Sequence, residues 1–67
     1  MATIINKPAL KNTYAKKYFE KMSTNSDVYE CGKDNKGYIY FAYLNGNVER
    51  YNRRDFIKRA ESYYLDI

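Results

Sequence analysis

The sequence predicts an α+β domain built as an N-terminal helix, a three-stranded antiparallel meander and a C-terminal helix. Three observations predict it. Apolar residues recur at helical spacing from Leu10 to Met22. The run Tyr38-Ile39-Tyr40-Phe41-Ala42-Tyr43-Leu44 is apolar or aromatic throughout and is followed at once by Asn45-Gly46. Asn52 then precedes a second stretch of helical spacing that reaches Ile67.

The first helix is expected to open at Lys7-Pro8, because proline suits the first helical position, where its missing N–H has no helical partner. Asn6 or Lys7 would then lie at the cap. Leu10, Tyr14 and Tyr18 form one row at spacing four, and Ala15, Phe19 and Met22 form an adjoining row, so together they make one apolar stripe. Ser23-Thr24-Asn25-Ser26-Asp27 is polar loop chemistry and ends the helix. Val28 to Cys31 reads as a short strand, and Gly32 to Gly37 as the turn after it. Tyr38 to Leu44 is the strongest strand. Asn45-Gly46 is a hairpin signal, and a two-residue loop there sets Tyr43 opposite Val48, Phe41 opposite Arg50 and Tyr40 opposite Tyr51. Asn47 to Tyr51 is the returning strand. Asn52 caps the last helix with Asp55 three residues on, and Phe56, Ala60, Tyr63 and Ile67 fall on its apolar face. Thr3-Ile4-Ile5 has the composition of a short additional edge strand.

A chain of 67 residues makes a single compact domain, residues 1–67, with no internal repeat. At this size folding buries only roughly 60% of the unfolded surface, so the core is thin. Cys31 is the one cysteine, which excludes an intrachain disulfide and fits a reducing compartment. No apolar run approaches the roughly 18 residues of a membrane span. The opening Met1-Ala2-Thr3-Ile4-Ile5-Asn6 has neither a basic n-region nor a long apolar h-region. The expected location is therefore the cytoplasm, the host cytosol if the chain is phage-encoded.

Catalysis has little to work with. Histidine is absent, so a serine, threonine or cysteine nucleophile lacks its usual base, and no metal-ligand spacing exists. Asp34-Asn35 in the turn is too poorly supplied with acid for a calcium loop. Gly32, Gly37 and Gly46 each read as turn residues, and none belongs to a phosphate-cradling loop. Glu30 and Glu49 fall on the outer strands, where charge discourages edge-to-edge pairing. The expectation is a non-enzyme without metal or cofactor.

Binding is the remaining class. The net charge is +4, and positive charge concentrates in two places. Lys11, Lys16, Lys17 and Lys21 line the first helix and are candidate phosphate contacts. Arg50, Arg53, Arg54, Lys58 and Arg59 form a second basic cluster, in which arginine forks suit phosphates, carboxylates and aromatic faces. Tyrosine occurs nine times, more than a small core absorbs, and tyrosine and arginine are the residues richest in binding hot spots. Tyr29, Tyr38 and Tyr43 are the candidates for exposure on a sheet face the helices leave uncovered.

The Asn, Lys, Tyr and Ile bias is that of an AT-rich genome, common among short phage and mobile-element chains. The favoured function is a small stoichiometric binding protein of that type, inhibiting a host protein or ribonucleoprotein as anti-CRISPR and other host-takeover proteins do. One alternative is a regulatory nucleic-acid binder. The stretch from Gly37-Tyr38 through Asn45-Gly46 to Phe56 is similar in outline to the three-strand-plus-helix arm-binding domains of phage integrases. It departs from them in having Arg50 almost alone between Glu30 and Glu49, and a carboxylate on a DNA-facing sheet repels phosphate. Nucleic acid would then meet the first helix and the Arg53–Arg59 stretch. A third reading is a scaffold that homodimerises through a strand edge or the aromatic face.

Overall fold

The computed structural model describes residues 2–65, in the order β1 (Thr3–Ile5), α1 (Thr13–Ser23), β2 (Val28–Lys33), β3 (Ile39–Tyr43), β4 (Val48–Tyr51) and α2 (Arg53–Leu65). Ile67, expected on the apolar face of the last helix, lies outside the described residues.

The sheet has four strands in the order β1-β2-β3-β4 and is mixed, because β1 runs parallel to β2. The three-stranded antiparallel meander expected between two helices is thereby overturned. The chain begins with a strand, and α1 is the crossover that brings β2 back alongside it in the same direction, as a parallel pair requires. Gly32 is what admits β1. It lies inside β2, opposite Ile5 on one side and Tyr40 on the other, and not in a turn. Its φ of 152° aims the missing side chain at β1, where a Cβ would stand 1.8 Å from the Ile5 carbonyl oxygen.

The early strand also moves the start of α1. Asn6, at φ 50°, turns the chain out of β1, a conformation asparagine tolerates better than most residues. Residues 6–11 then carry the chain up to the helical layer, with Pro8 buried on the way. The cap is Asn12, whose side-chain oxygen accepts the Ala15 N–H at 3.1 Å, so the helix starts five residues beyond Pro8. At α2 the expected cap holds: the Asn52 side chain accepts the Asp55 N–H at 2.7 Å.

Both hairpins close with the same device. Gly37 N–H donates to the Asp34 carbonyl and Gly46 N–H to that of Tyr43, and both glycines take positive φ. Each loop therefore has three residues ending in a left-handed glycine. The third loop residue shifts the β3–β4 register by one from the two-residue expectation. Val48 faces Ala42, Glu49 faces Phe41, Arg50 faces Tyr40 and Tyr51 faces Ile39. Because side chains alternate along a strand, that single step sends Glu49 to the Phe41 side and Arg50 to the opposite one.

Both helices pack on the Phe41 side. Phe41 lies 5.7 Å from Phe19 of α1 and 5.8 Å from Phe56 of α2, ring centre to ring centre, and all three are fully buried. Ala15, Met22, Val28, Cys31, Ile39 and Ala60 complete the same core. Neither helix covers the other side of the sheet.

Candidate functional site

The uncovered side is built from alternate residues of the same strands. One cross-strand row runs Ile5, Gly32, Tyr40, Arg50, and the next runs Thr3, Glu30, Ala42, Val48. Ile5 and Val48 are exposed, Val48 by 55%. The Tyr40 hydroxyl donates to Glu30 Oε2 at 2.8 Å. Desolvation first, and then that carboxylate, push the Tyr40 phenol up to about 12.

Arg50 is the polar centre of this face. Its guanidinium donates to Asp34 Oδ2 and lies 5.1 Å over the Tyr38 ring. The other Asp34 oxygen accepts the backbone N–H groups of Lys36 and Tyr38, each at 2.9 Å. Desolvation raises the Asp34 carboxyl, but the hydrogen bonds from Arg50, Tyr38 and Lys36 outweigh it and leave it below its ordinary value. The first hairpin turn thus fixes Asp34, Asp34 holds Arg50, and Arg50 holds the Tyr38 ring. A shallow depression beside them is lined by Tyr38, Arg50, Asn52 and Asp55.

The structure sorts the other sequence candidates by place. Tyr29 is exposed at the bulge between Val28 and Glu30, and Tyr38 is exposed beside Arg50. Tyr43 parts from them. It stands half-buried on the helix side, and its hydroxyl donates to Glu49 Oε1. Desolvation and then the Glu49 carboxylate push its phenol well up. Glu49 consequently points into the protein beneath α2 rather than guarding the strand edge. Tyr51 is half-buried nearby, its phenol raised by desolvation and then by Glu49.

The remaining candidate cations belong to α1, its lead-in and α2. Arg53 donates to the Ala9 carbonyl at 2.7 Å and so ties α2 to the lead-in of α1. Arg59 lies beside the Tyr18 and Tyr51 hydroxyls, which raise its already high pKa. Lys21 lies 5.5 Å over the ring of Tyr63. Lys11, Lys16, Lys17, Arg54 and Lys58 are exposed. Sequence reasoning did not select Asp34, Glu30 or Tyr40, whose partners are distant in the chain. Of Tyr63 and Tyr64, either of which suits the core by spacing, Tyr64 packs against it and Tyr63 is 53% exposed.

Among the described residues no group of acidic, cysteine or histidine side chains has the arrangement of a metal site, and no helix is long and apolar enough to cross a membrane. No protein-family model, no curated protein and no solved structure matches the chain.

Proposed function

We propose that this chain is a small non-catalytic binding domain that docks a protein partner on its uncovered sheet face. One observation carries the reading: exposed Ile5, Tyr38, Val48 and Arg50 lie together on a face that both helices leave bare. The chemistry of that face is that of a protein contact. On it the strands set Glu30 against Arg50, so their side chains give it no net charge. Tyr38 and Arg50 are mutually held, which lowers the entropy cost of ordering two hot-spot side chains on binding. A neutral aromatic face suits a protein surface better than a phosphate backbone.

The composition and size fit a phage or mobile-element product that acts stoichiometrically in the host cytosol, on a protein or ribonucleoprotein. The buried free thiol of Cys31 fits that compartment. A second copy joined antiparallel through two β4 edges, with all helices on one side, sets like charges opposite one another in the registers centred on Glu49 or on Arg50, and avoids this only in those centred on Val48 or Tyr51.

The test is capture and titration of a binder with three forms of the protein. Val48→Asp and Tyr38→Ala should each weaken the binder by about 2 kcal/mol or more, as hot-spot truncations do, while Lys17→Gln on the helical layer should not. Full binding by both sheet-face variants refutes the reading. Light scattering that finds a stable dimer, dissociated by Val48→Asp, would replace the protein partner with a second copy.

A further inference from the structure

We propose that the surface along the contact between α1 and α2 is a second binding surface, and that it takes single-stranded nucleic acid. The inference stands apart from the sheet-face reading, because it uses the opposite side of the molecule.

Charge is segregated between the two layers. α1 with its lead-in carries Lys7, Lys11, Lys16, Lys17 and Lys21 against Glu20, and α2 carries Arg53, Arg54, Lys58 and Arg59 against Asp55 and Glu61. The helical layer therefore holds nine cations and three carboxylates among the described residues, whereas the strands are balanced. Among the described residues the one ion pair is Arg50 with Asp34, in the sheet layer, so no helical cation stands in a salt bridge there, although the Glu49 carboxylate acts on Arg59. Unpaired like charges cost stability until a polyanion supplies the counter-charge.

Aromatic rings lie among these cations. Tyr18 of α1 and Tyr63 of α2 meet with ring centres 5.3 Å apart. Lys21 stands over Tyr63 from the α1 side, and Arg59 lies one turn before Tyr63 on α2, beside the Tyr18 hydroxyl. Lys17 falls one turn before Lys21 and is exposed. Tyr14 and Tyr64 continue the contact between the helices at 6.1 Å. Tyr18 is buried, so its ring is structural, but Tyr63 is more than half exposed beside Lys21. A cationic surface with an exposed ring can hold a phosphodiester backbone while a base stacks on the aromatic side chain. A duplex keeps its bases stacked inside and gives Tyr63 nothing to meet. Among the described residues Glu49 acts on Arg59, Glu20 adjoins Lys21 in α1 and Glu61 lies two residues before Tyr63 in α2, and these carboxylates limit the attraction to a few phosphates.

The test is fluorescence anisotropy of the full chain with a labelled oligo(dT) of about 20 nucleotides across a salt series. The expected result is binding at 50 mM salt with a log–log slope of about −2, the value for about three phosphates on a single strand. Tyr63→Ala should weaken binding about tenfold and leave the slope unchanged, whereas Lys21→Gln and Lys17→Gln should each make the slope shallower. Lys17 and Tyr63 are exposed enough for these variants to fold, and a thermal melt of each verifies that. No binding at 50 mM salt overturns the proposal. Equal binding of a duplex with Tyr63→Ala silent also overturns it, since the helical layer would then read only charge. Val48→Asp, the sheet-face variant, should leave oligo(dT) binding within twofold, so the two surfaces fail independently.

Discussion

The two sides of one sheet differ although the same strands build both. On the helix side Ile39 and Phe41 are sealed from solvent, and rings from α1 and α2 close over Phe41. On the other side Tyr40 and Arg50 are held by hydrogen bonds to Glu30 and Asp34, and Val48 is left in water. One face is therefore stabilised by burial and the other is organised by polar contacts that leave its apolar groups free. The difference teaches that the energy of the fold and the chemistry of the contact surface reside on alternate residues of the same few strands.

The largest expected effect breaks the comparison at its centre. Phe41→Ala should cost about 3–5 kcal/mol in chemical denaturation, as deleting a buried aromatic does, while Val48→Ala on the opposite face should cost less than about 0.5 kcal/mol. Similar losses for the two would mean that the open face is covered in solution. Gly32→Ala should come next, at about 3 kcal/mol, the upper end of overpacking costs, because its Cβ would enter the Ile5 carbonyl. Amide exchange should at the same time lose protection in Thr3–Ile5 before the β2–β3 hairpin does. Retained protection there would detach β1 docking from Gly32.

The smallest effect sharpens the polar side of the comparison. Tyr40 has a folded pKa of about 12, above an unfolded value of about 10. A raised phenol binds its proton more tightly in the folded state, so its contribution is fully present below pH 10 and is lost as pH rises from about 10 to 12. Urea midpoints should fall across that window, and fall less in Tyr40→Phe. The part that survives belongs to Tyr43 and Tyr51, whose phenols are also raised. An unchanged alkaline fall in Tyr40→Phe would remove the Glu30 contact from the account.

Legibility in the sequence followed the range of each interaction. Asn52 was readable as a cap because its partner, the Asp55 N–H, is three residues away. Gly37 and Gly46 were readable as turn glycines because a left-handed φ is a local demand. The β3–β4 register failed by one residue because Asn45-Gly46 suits a two-residue loop and a three-residue loop alike. That one step reassigned Arg50 and Glu49 to opposite faces, and with them the make-up of the candidate site. Tyr43 was lost to the candidate surface for another reason: it shares the Phe41 side of β3, and which side the helices cover is settled only by tertiary packing.

What the residues alone determined is the pair of amphipathic helices, the central aromatic strand and both hairpins. Propensity, periodicity and turn chemistry act over a few neighbours, and a linear reading captures them. Only the tertiary structure decided that Thr3–Ile5 joins the sheet in parallel, that Gly32 makes room for it, that Arg50 is held by Asp34, and that Lys21 comes over Tyr63 and Arg59 beside Tyr18. Those outcomes join segments many residues apart, and a chain's local preferences say nothing about which distant segments its packing will bring together.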